Sequence, residues 1–174
     1  MPRSFDMVAD YGASVEQVHA AFCDRDYWLA RLAASGVDVY SLDSASDDGA
    51  GGVDFSTTQT LWAPALPAVV TQLHRGDLTA VRREHWDPVV DGRAVGTLRG
   101  GIKGAPLSIV GEAVLAPSGT GARLTLSTTI EVRVPLLGGK VESMIGQQMQ
   151  NLLRMERTFT DDWITSGPNA RTQR

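Results

Sequence analysis

The amino-acid sequence predicts a single α+β domain: a curved antiparallel β-sheet wrapped around a long C-terminal α-helix, with two short helices after the first strand. Three observations predict it. Residues 37–134 alternate apolar and polar side chains at period two, through stretches separated by glycine, proline and aspartate turns. Residues 140–165 contain no proline and carry an apolar stripe at helical spacing. Between the first strand and the sheet proper, residues 14–35 hold two short helical patterns.

Ser4 to Ala9 is short but suits a first strand. Ser14-Val15-Glu16-Gln17 reads as a capping box, and Val15, Val18 and Phe22 continue it at helical spacing. A second helix fits Asp26 to Ser35, with Trp28, Leu29, Leu32 and Ala33 on one face and Gly36 as its left-handed cap. Val37 to Leu42 is the next expected strand, and Asp47-Asp48-Gly49 a turn. Val53, Phe55, Thr57, Gln59 and Leu61 then alternate with polar residues, one face to the core and one to water. Pro64 and Pro67 break the ladder, leaving Ala68 to Leu73 as a short helix or a loop over the sheet edge. Leu78 to Trp86, Ala94 to Leu98 and Leu107 to Leu115 are strands, with a bulge or turn at Gly100 to Gly104. In the last strand Leu124, Leu126, Thr128, Ile130, Val132 and Val134 share a face opposite Arg123, Glu131 and Arg133.

From Lys140 to Thr165 about 26 residues can be helical, about 39 Å at 1.5 Å per residue. Val141, Met144, Ile145, Leu152, Met155, Phe159 and Trp163 form its apolar stripe, opposite Gly146, Gln147, Gln150, Arg154, Arg157 and Asp161. Gly167-Pro168 ends it. The expected domain therefore covers residues 1–166, with 167–174 a disordered tail. One core suits 174 residues.

Composition narrows the function classes. A net charge of -4 speaks against nucleic acid, whose phosphates call for clustered cations. Cys23 is the only cysteine, so no intrachain disulfide forms. Met1 to Asp10 lacks the basic and apolar regions of a signal peptide, and no run of ~18 apolar residues could span a bilayer. A cytoplasmic protein without integral membrane contact is expected, as monomer or homodimer. Lys103 and Lys140 are the only lysines among abundant arginine, alanine and glycine, the composition of high-GC actinobacterial coding.

Candidate ligand contacts centre on the long helix. Gln148 sits amid Met144, Ile145 and Leu152, where a buried amide must find sheet backbone, water or a ligand. Met144, Met149 and Met155 suit an adaptable apolar lining or plain core filling. In the strand 78–86, Arg82, Glu84 and Trp86 share one face and Val81, Arg83 and His85 the other. The alternation alone leaves open which face points inward. If Arg82 and Glu84 do, they pair and anchor a ligand carboxylate or hydroxyl. The expected ligand-binding set is Gln148, Met144, Leu152, Met155, Phe159, Phe55, Gln59, Arg82, Glu84 and Trp86. No catalytic, metal or cofactor site is expected: His19, His74 and His85 lack ligand spacing, and Cys23 has no activating neighbour. Glu84, with His85, is the single acid–base candidate.

The order strand, two short helices, antiparallel strands and one long helix resembles the helix-grip fold of the START/Bet v 1-like (SRPBCC) superfamily over roughly Ser4 to Ser166. Leu66-Pro67 and Glu84-His85-Trp86-Asp87 are similar to an uncharacterised actinobacterial branch of it, a DUF2505-like domain of unknown function. The resemblance implies a cavity between sheet and helix that holds a lipid, fatty acyl, isoprenoid or polyketide-like molecule. The preferred function is thus binding or transport of a hydrophobic small molecule. The alternatives are a polyketide cyclase or dehydratase, and a protein-interaction module of co-chaperone or toxin–antitoxin type.

Overall fold

A computed structural model describes residues 1–171, with side chains through Gly167. Seven antiparallel strands form one sheet in the order β1-β7-β6-β5-β4-β3-β2. They are β1 Arg3–Tyr11, β2 Tyr40–Asp47, β3 Val53–Leu61, β4 Leu78–Trp86, β5 Ala94–Ile102, β6 Leu107–Ser118 and β7 Gly121–Val132. Neighbours in sequence from β2 to β7 pair as hairpins, and β1 closes on β7. Among the described residues four α-helices and a short 3-10 turn, Ala63–Ala65, complete the fold: α1 Val15–Phe22, α2 Arg25–Ala33, α3 Ala68–Leu73 and α4 Gly138–Arg171. Within α4 the helical path is interrupted at Gly167 (φ 63°, ψ 174°), where Gly167-Pro168 was expected to stop it. Backbone 168–171 continues beyond that break, and the rest of the expected tail, 172–174, lies outside the described residues.

Local chemistry explains most boundaries. The Ser14 side chain accepts from Gln17 N–H at 3.2 Å while Gln17 returns the bond to Ser14 N–H at 3.0 Å, so the expected capping box opens α1. Asp24 caps α2 through Asp26 N–H at 2.9 Å. The inward face of α2 is Tyr27, Trp28 and Leu32, and Ala33, expected on it, is exposed. β2 lies later than expected, at Tyr40–Asp47. Residues 37–39 form a lead-in, and the polar run 43–47 is held by pairing with β3 across a bulge at Leu42/Ser44. β5 runs through Gly100 and Gly101, so the turn falls at 103–106.

The core lies under the concave face of the sheet. Met7, Ala9 and Tyr11 of β1, Leu124 and Leu126 of β7, and Phe55 and Trp86 of β3 and β4 join Val18, Phe22, Tyr27 and Trp28 from the helices. Burying side chains of this size contributes roughly 1.5–3 kcal/mol each before chain entropy opposes it. On the convex face, His85 Nδ1 lies 3.1 Å from Asp54 and Nε2 2.9 Å from Asp87. His85 therefore points away from the core, and Arg82, Glu84 and Trp86 point inward.

The inward line of α4 differs from the expected stripe. Gln148 is exposed, as are Leu152 and Met155, whereas Glu142, Gly146, Leu153 and Thr160 are buried. The reason is that α4 rests on β1 and β7 through small residues and through polar ones that find partners on the sheet or within the helix, although Glu142 Oε2 accepts no hydrogen bond among the described residues. Glu142 accepts from Val132 N–H at 2.9 Å, and the Phe5 ring lies directly against Gly146. A stripe drawn from apolar residues alone is thus rotated away from the true contact face.

Two measurements check this packing. Gly146→Ala gains up to about 1 kcal/mol of helix propensity, yet its Cβ would collide with Phe5. The expected result is a net loss of about 1–3 kcal/mol in urea unfolding, relieved by Phe5→Leu. Hydrogen bonding to Asp87 foremost, helped by Asp54, raises the His85 pKa against the opposing effect of burial. Its contribution to stability is then complete below the ordinary value of about 6.5 and lost as pH rises through the higher folded value. A His85 ring titration by NMR should give a midpoint above 6.5, and Asp87→Asn should lower it.

Candidate functional site

Arg82 and Glu84 stand on the inward face of β4 because the register of that strand against β3 and β5 also turns Trp86 inward. Gly96 of β5 lies opposite Trp86, and a Cβ there would come within 2.8 Å of the indole. Arg31 reaches in from α2 and Glu156 from α4. The four side chains meet as a two-cation, two-anion cluster. Arg82 grips Glu156 with both nitrogens, Nη1–Oε1 at 2.6 Å and Nη2–Oε2 at 3.2 Å. Its Nη2 also pairs with Glu84. Arg31 Nη2 lies 3.4 Å from Glu156 and 3.7 Å from Glu84.

The second layer orients the first. Arg31 stacks over Trp28, its guanidinium carbon 4.0 Å from the ring centroid, a cation–π contact. Arg31 Nη1 donates to Tyr27 Oη at 3.3 Å, Tyr27 pairs with Thr160 Oγ1 at 2.7 Å, and Thr160 donates to the Glu156 carbonyl at 2.7 Å. One hydrogen per hydroxyl fixes the direction, because Thr160 must receive from Tyr27 if it gives to the carbonyl. The Trp86 indole N–H donates to Glu84 at 3.4 Å.

Electrostatics keep Glu156 and the two guanidiniums ionised. Burial works to raise the Glu156 pKa, but Arg31 and Arg82 outweigh it and hold the carboxyl below the ordinary range. Burial likewise works to lower Arg82 and Arg31, and Glu156 foremost reverses it, so both guanidiniums are held more firmly protonated. Burial pushes the Tyr27 hydroxyl up. Glu84, expected as an acid–base candidate, is occupied by Arg82, Arg31 and Trp86, and the outward His85 does not join it. Burial, then the carboxylates of Asp47 and Asp48, raises the Cys23 thiol.

Beside this cluster lies a half-open cavity of about 510 Å³. Trp28 and Leu32 of α2, Thr57 and Gln59 of β3, and Leu152, Met155 and Phe159 of α4 wall it, and Arg31, Arg82 and Glu156 close its polar side. Of the expected contacts, Gln59, Arg82, Leu152, Met155 and Phe159 line this space. Glu84 stands behind Arg82 as its ion-pair partner. Phe55 and Trp86 are core: Phe55 stacks on Trp28 at 4.7 Å and Trp86 meets Phe22 at 5.0 Å. Met144 packs instead on the Ile130, Val132 and Val141 cluster. Gln148 is exposed and takes no part in the cavity wall. Arg31, Glu156, Tyr27 and Thr160 were missed, since a charged residue on an amphipathic helix reads as solvent-facing. A local trace existed: Arg31 is three and four residues past Trp28 and Tyr27, the spacing that stacks a guanidinium on a ring. Glu156 had none.

Removing one partner of a buried ion pair leaves an uncompensated charge, so Glu156→Gln should cost about 3 kcal/mol in chemical denaturation at neutral pH. The stabilisation from a carboxyl whose pKa is depressed is present above its unfolded value, about 4.5, and is lost as pH falls through the folded one. Wild-type protein should therefore lose more stability than Glu156→Gln on going from neutral pH to acid. Replacing Arg82 and Glu156 together by Met should cost less than Glu156→Gln alone.

The same architecture recurs in solved structures. A START superfamily protein from Mycobacterium smegmatis superposes with a TM-score of 0.56 at 12% identity, over 91% of this chain and 97% of that one. The Zhui aromatase/cyclase from Streptomyces sp. R1128 gives a TM-score of 0.55 at 10% identity, over 99% and 97% of the respective chains. At such identities the likeness establishes the helix-grip fold expected from the order of elements. In sequence, an uncharacterized protein of Mycobacterium tuberculosis is 48% identical over 174 residues, covering 95% of this chain and 99% of its own. Residues 6–164 match the family model described as protein of unknown function (DUF2505), and the chain belongs to that family.

Proposed function

We propose that this protein binds an amphipathic small molecule in the cavity between α2, β3, β4 and α4. One observation carries the reading: an apolar wall of Trp28, Leu32, Leu152 and Phe159 ends on the partly buried cluster of Arg31, Arg82, Glu84 and Glu156. A volume of about 510 Å³ falls inside the ~300–1,000 Å³ typical of small-molecule sites. The helix-grip fold shared with the START protein and the aromatase/cyclase supports the same reading.

The cluster also constrains the ligand. Its two cations and two anions balance, and Glu156 already takes both forks of Arg82. A ligand carboxylate aimed at the Nη1/Nη2 fork of Arg82 would have to displace Glu156, leaving that carboxylate without its main partner; among the described residues, Nε is the one nitrogen of Arg82 with no hydrogen bond. An uncharged hydroxyl or carbonyl needs no such exchange and fits the rim of Arg82, Gln59 and Thr57. The hydrocarbon part, of fatty acyl, isoprenoid or polyketide-like character, then lies under Leu152 and Met155.

Native mass spectrometry of protein purified without detergent should show a small-molecule adduct. Fluorescent acyl alcohols should enter with a change in Trp28 emission. Ala34→Trp, at the cavity mouth beside exposed α2 backbone, should weaken uptake about tenfold or more, or 1.4 kcal/mol, without lowering the unfolding midpoint. Protein that is always empty and takes up neither acyl, isoprenoid nor polyketide-like probes overturns the proposal.

A further inference from the structure

Antiparallel pairing gathers five segments at one end of the sheet: the start of β1, residues 37–39 before β2, 62–77 between β3 and β4, 103–106 between β5 and β6, and 133–140 from β7 into α4. Backbone bonds tie them down. Thr60 N–H donates to Val39 O at 2.9 Å, Lys103 N–H to Thr79 O at 2.9 Å, and Arg133 N–H to Pro106 O at 2.9 Å. Ala63 N–H donates to Asp77 Oδ1 at 2.7 Å.

These tips expose large apolar side chains. Leu136 is 103% accessible, Val39 49%, Trp62 43% and Leu73 41%. Among the described residues Leu136 is also one of two non-glycine residues with positive φ, 68°, a conformation disfavoured for any residue with a Cβ. The fold holds a leucine in an unfavourable backbone state and shows it wholly to solvent.

Exposed valines also occur elsewhere, Val90 at the opposite end among them, but charge does separate the two ends. Lys103 and Lys140, the only lysines of the chain, lie here with Arg75, all exposed and without an ion pair among the described residues. Arg133 is paired with Glu131 at 3.2 Å, and Arg3 approaches Glu142 at 3.8 Å. Of the acids, Asp77 and Glu142 are engaged by backbone N–H groups, which leaves Asp38 as the one uncommitted carboxylate. The hairpins at the opposite end carry Asp47, Asp48, Asp87 and Asp91, with Arg93 their only cation. A chain of net charge -4 thus turns a cationic, apolar end outward.

We propose that this end docks on an anionic lipid surface, with Leu136, Trp62 and Leu73 entering the acyl boundary and Lys103, Lys140 and Arg75 meeting the headgroups. Separate apolar loop tips ringed by cations suit a deformable interface better than a flat protein partner, whose contact core is a contiguous packed patch. Three free cations are too few to track a nucleic-acid backbone. The docking rests on the loop tips alone and is independent of what the cavity binds.

The test is sedimentation of the full chain with vesicles of phosphatidylcholine, alone or with roughly one third phosphatidylglycerol. Binding is expected only to the anionic vesicles, weakening with salt and shifting Trp62 emission to the blue. Lys103→Glu with Lys140→Glu should lower the partition coefficient about 30-fold or more. Leu136→Gly should lower it about tenfold while leaving the melting temperature unchanged or raised, because glycine accepts the positive φ. Absent binding, equal binding to neutral vesicles, or indifference to both variants overturns the proposal. A dimer that Leu136→Gly dissociates, with no vesicle binding, overturns it in favour of a second copy of the chain.

Discussion

The bidentate grip of Arg82 on Glu156 joins the long helix to the middle of the sheet. Elsewhere α4 rests on β1 and β7, at one side of the concave face. Across to β4 the gap is bridged by two long charged side chains, with Arg31 and Glu84 completing the charge balance. Apolar side chains would close such a gap by drawing the helix inward. An ion pair instead holds two elements at the length of its own side chains, and the space next to it becomes the cavity. Desolvating four charges costs several kcal/mol per ion, which the forked geometry, the Trp28 face and the hydroxyl chain through Tyr27 and Thr160 must offset. The cluster is thus better understood as setting geometry than as adding stability.

The same logic explains the face that α4 presents to the sheet. Glu142 serves as acceptor for a β7 amide, Gly146 admits the Phe5 ring, and Thr160 continues a hydrogen-bond chain. Each is polar or small, and each is buried because its partner is fixed in advance. The apolar residues displaced from that line, Leu152 and Met155, are left 41% and 58% exposed at the mouth of the cavity. Exposed hydrophobic side chains at the rim and ionised ones within reverse the usual distribution. That inversion places the apolar contact surface where a ligand, rather than the protein, can cover it.

Much was legible in the residues themselves. The alternation of Val53 to Leu61 and of Arg123 to Val132 fixes strands with one face buried, because a side chain on a strand has only two directions. Ser14 and Gln17 fix the start of α1 through bonds made within one turn. Proline-free length and Gly167 delimit the long helix, and the order of these elements leads to the helix-grip fold. β2 was misplaced by its apolar lead-in, Val37 and Val39, since the segment that pairs with β3 is polar and is held by backbone bonds that carry no side-chain signature.

By itself the sequence determined most of the elements, their order and the two-residue alternation of β3 and β7, because these depend on contacts between near neighbours. It could not say which face of β4 was buried, since Arg82-Glu84-Trp86 and Arg83-His85 are almost equally polar. That choice came from the partners: Asp54 and Asp87 hold His85 outside, and Arg31 and Glu156 receive Arg82 within. Nor could it give the rotation of α4, where Gln148 turns to solvent and Glu156 to the core. A charge is buried only where an opposite charge meets it. Arg82 and Glu156, 74 residues apart, meet only once the sheet has curved and the helix has crossed it.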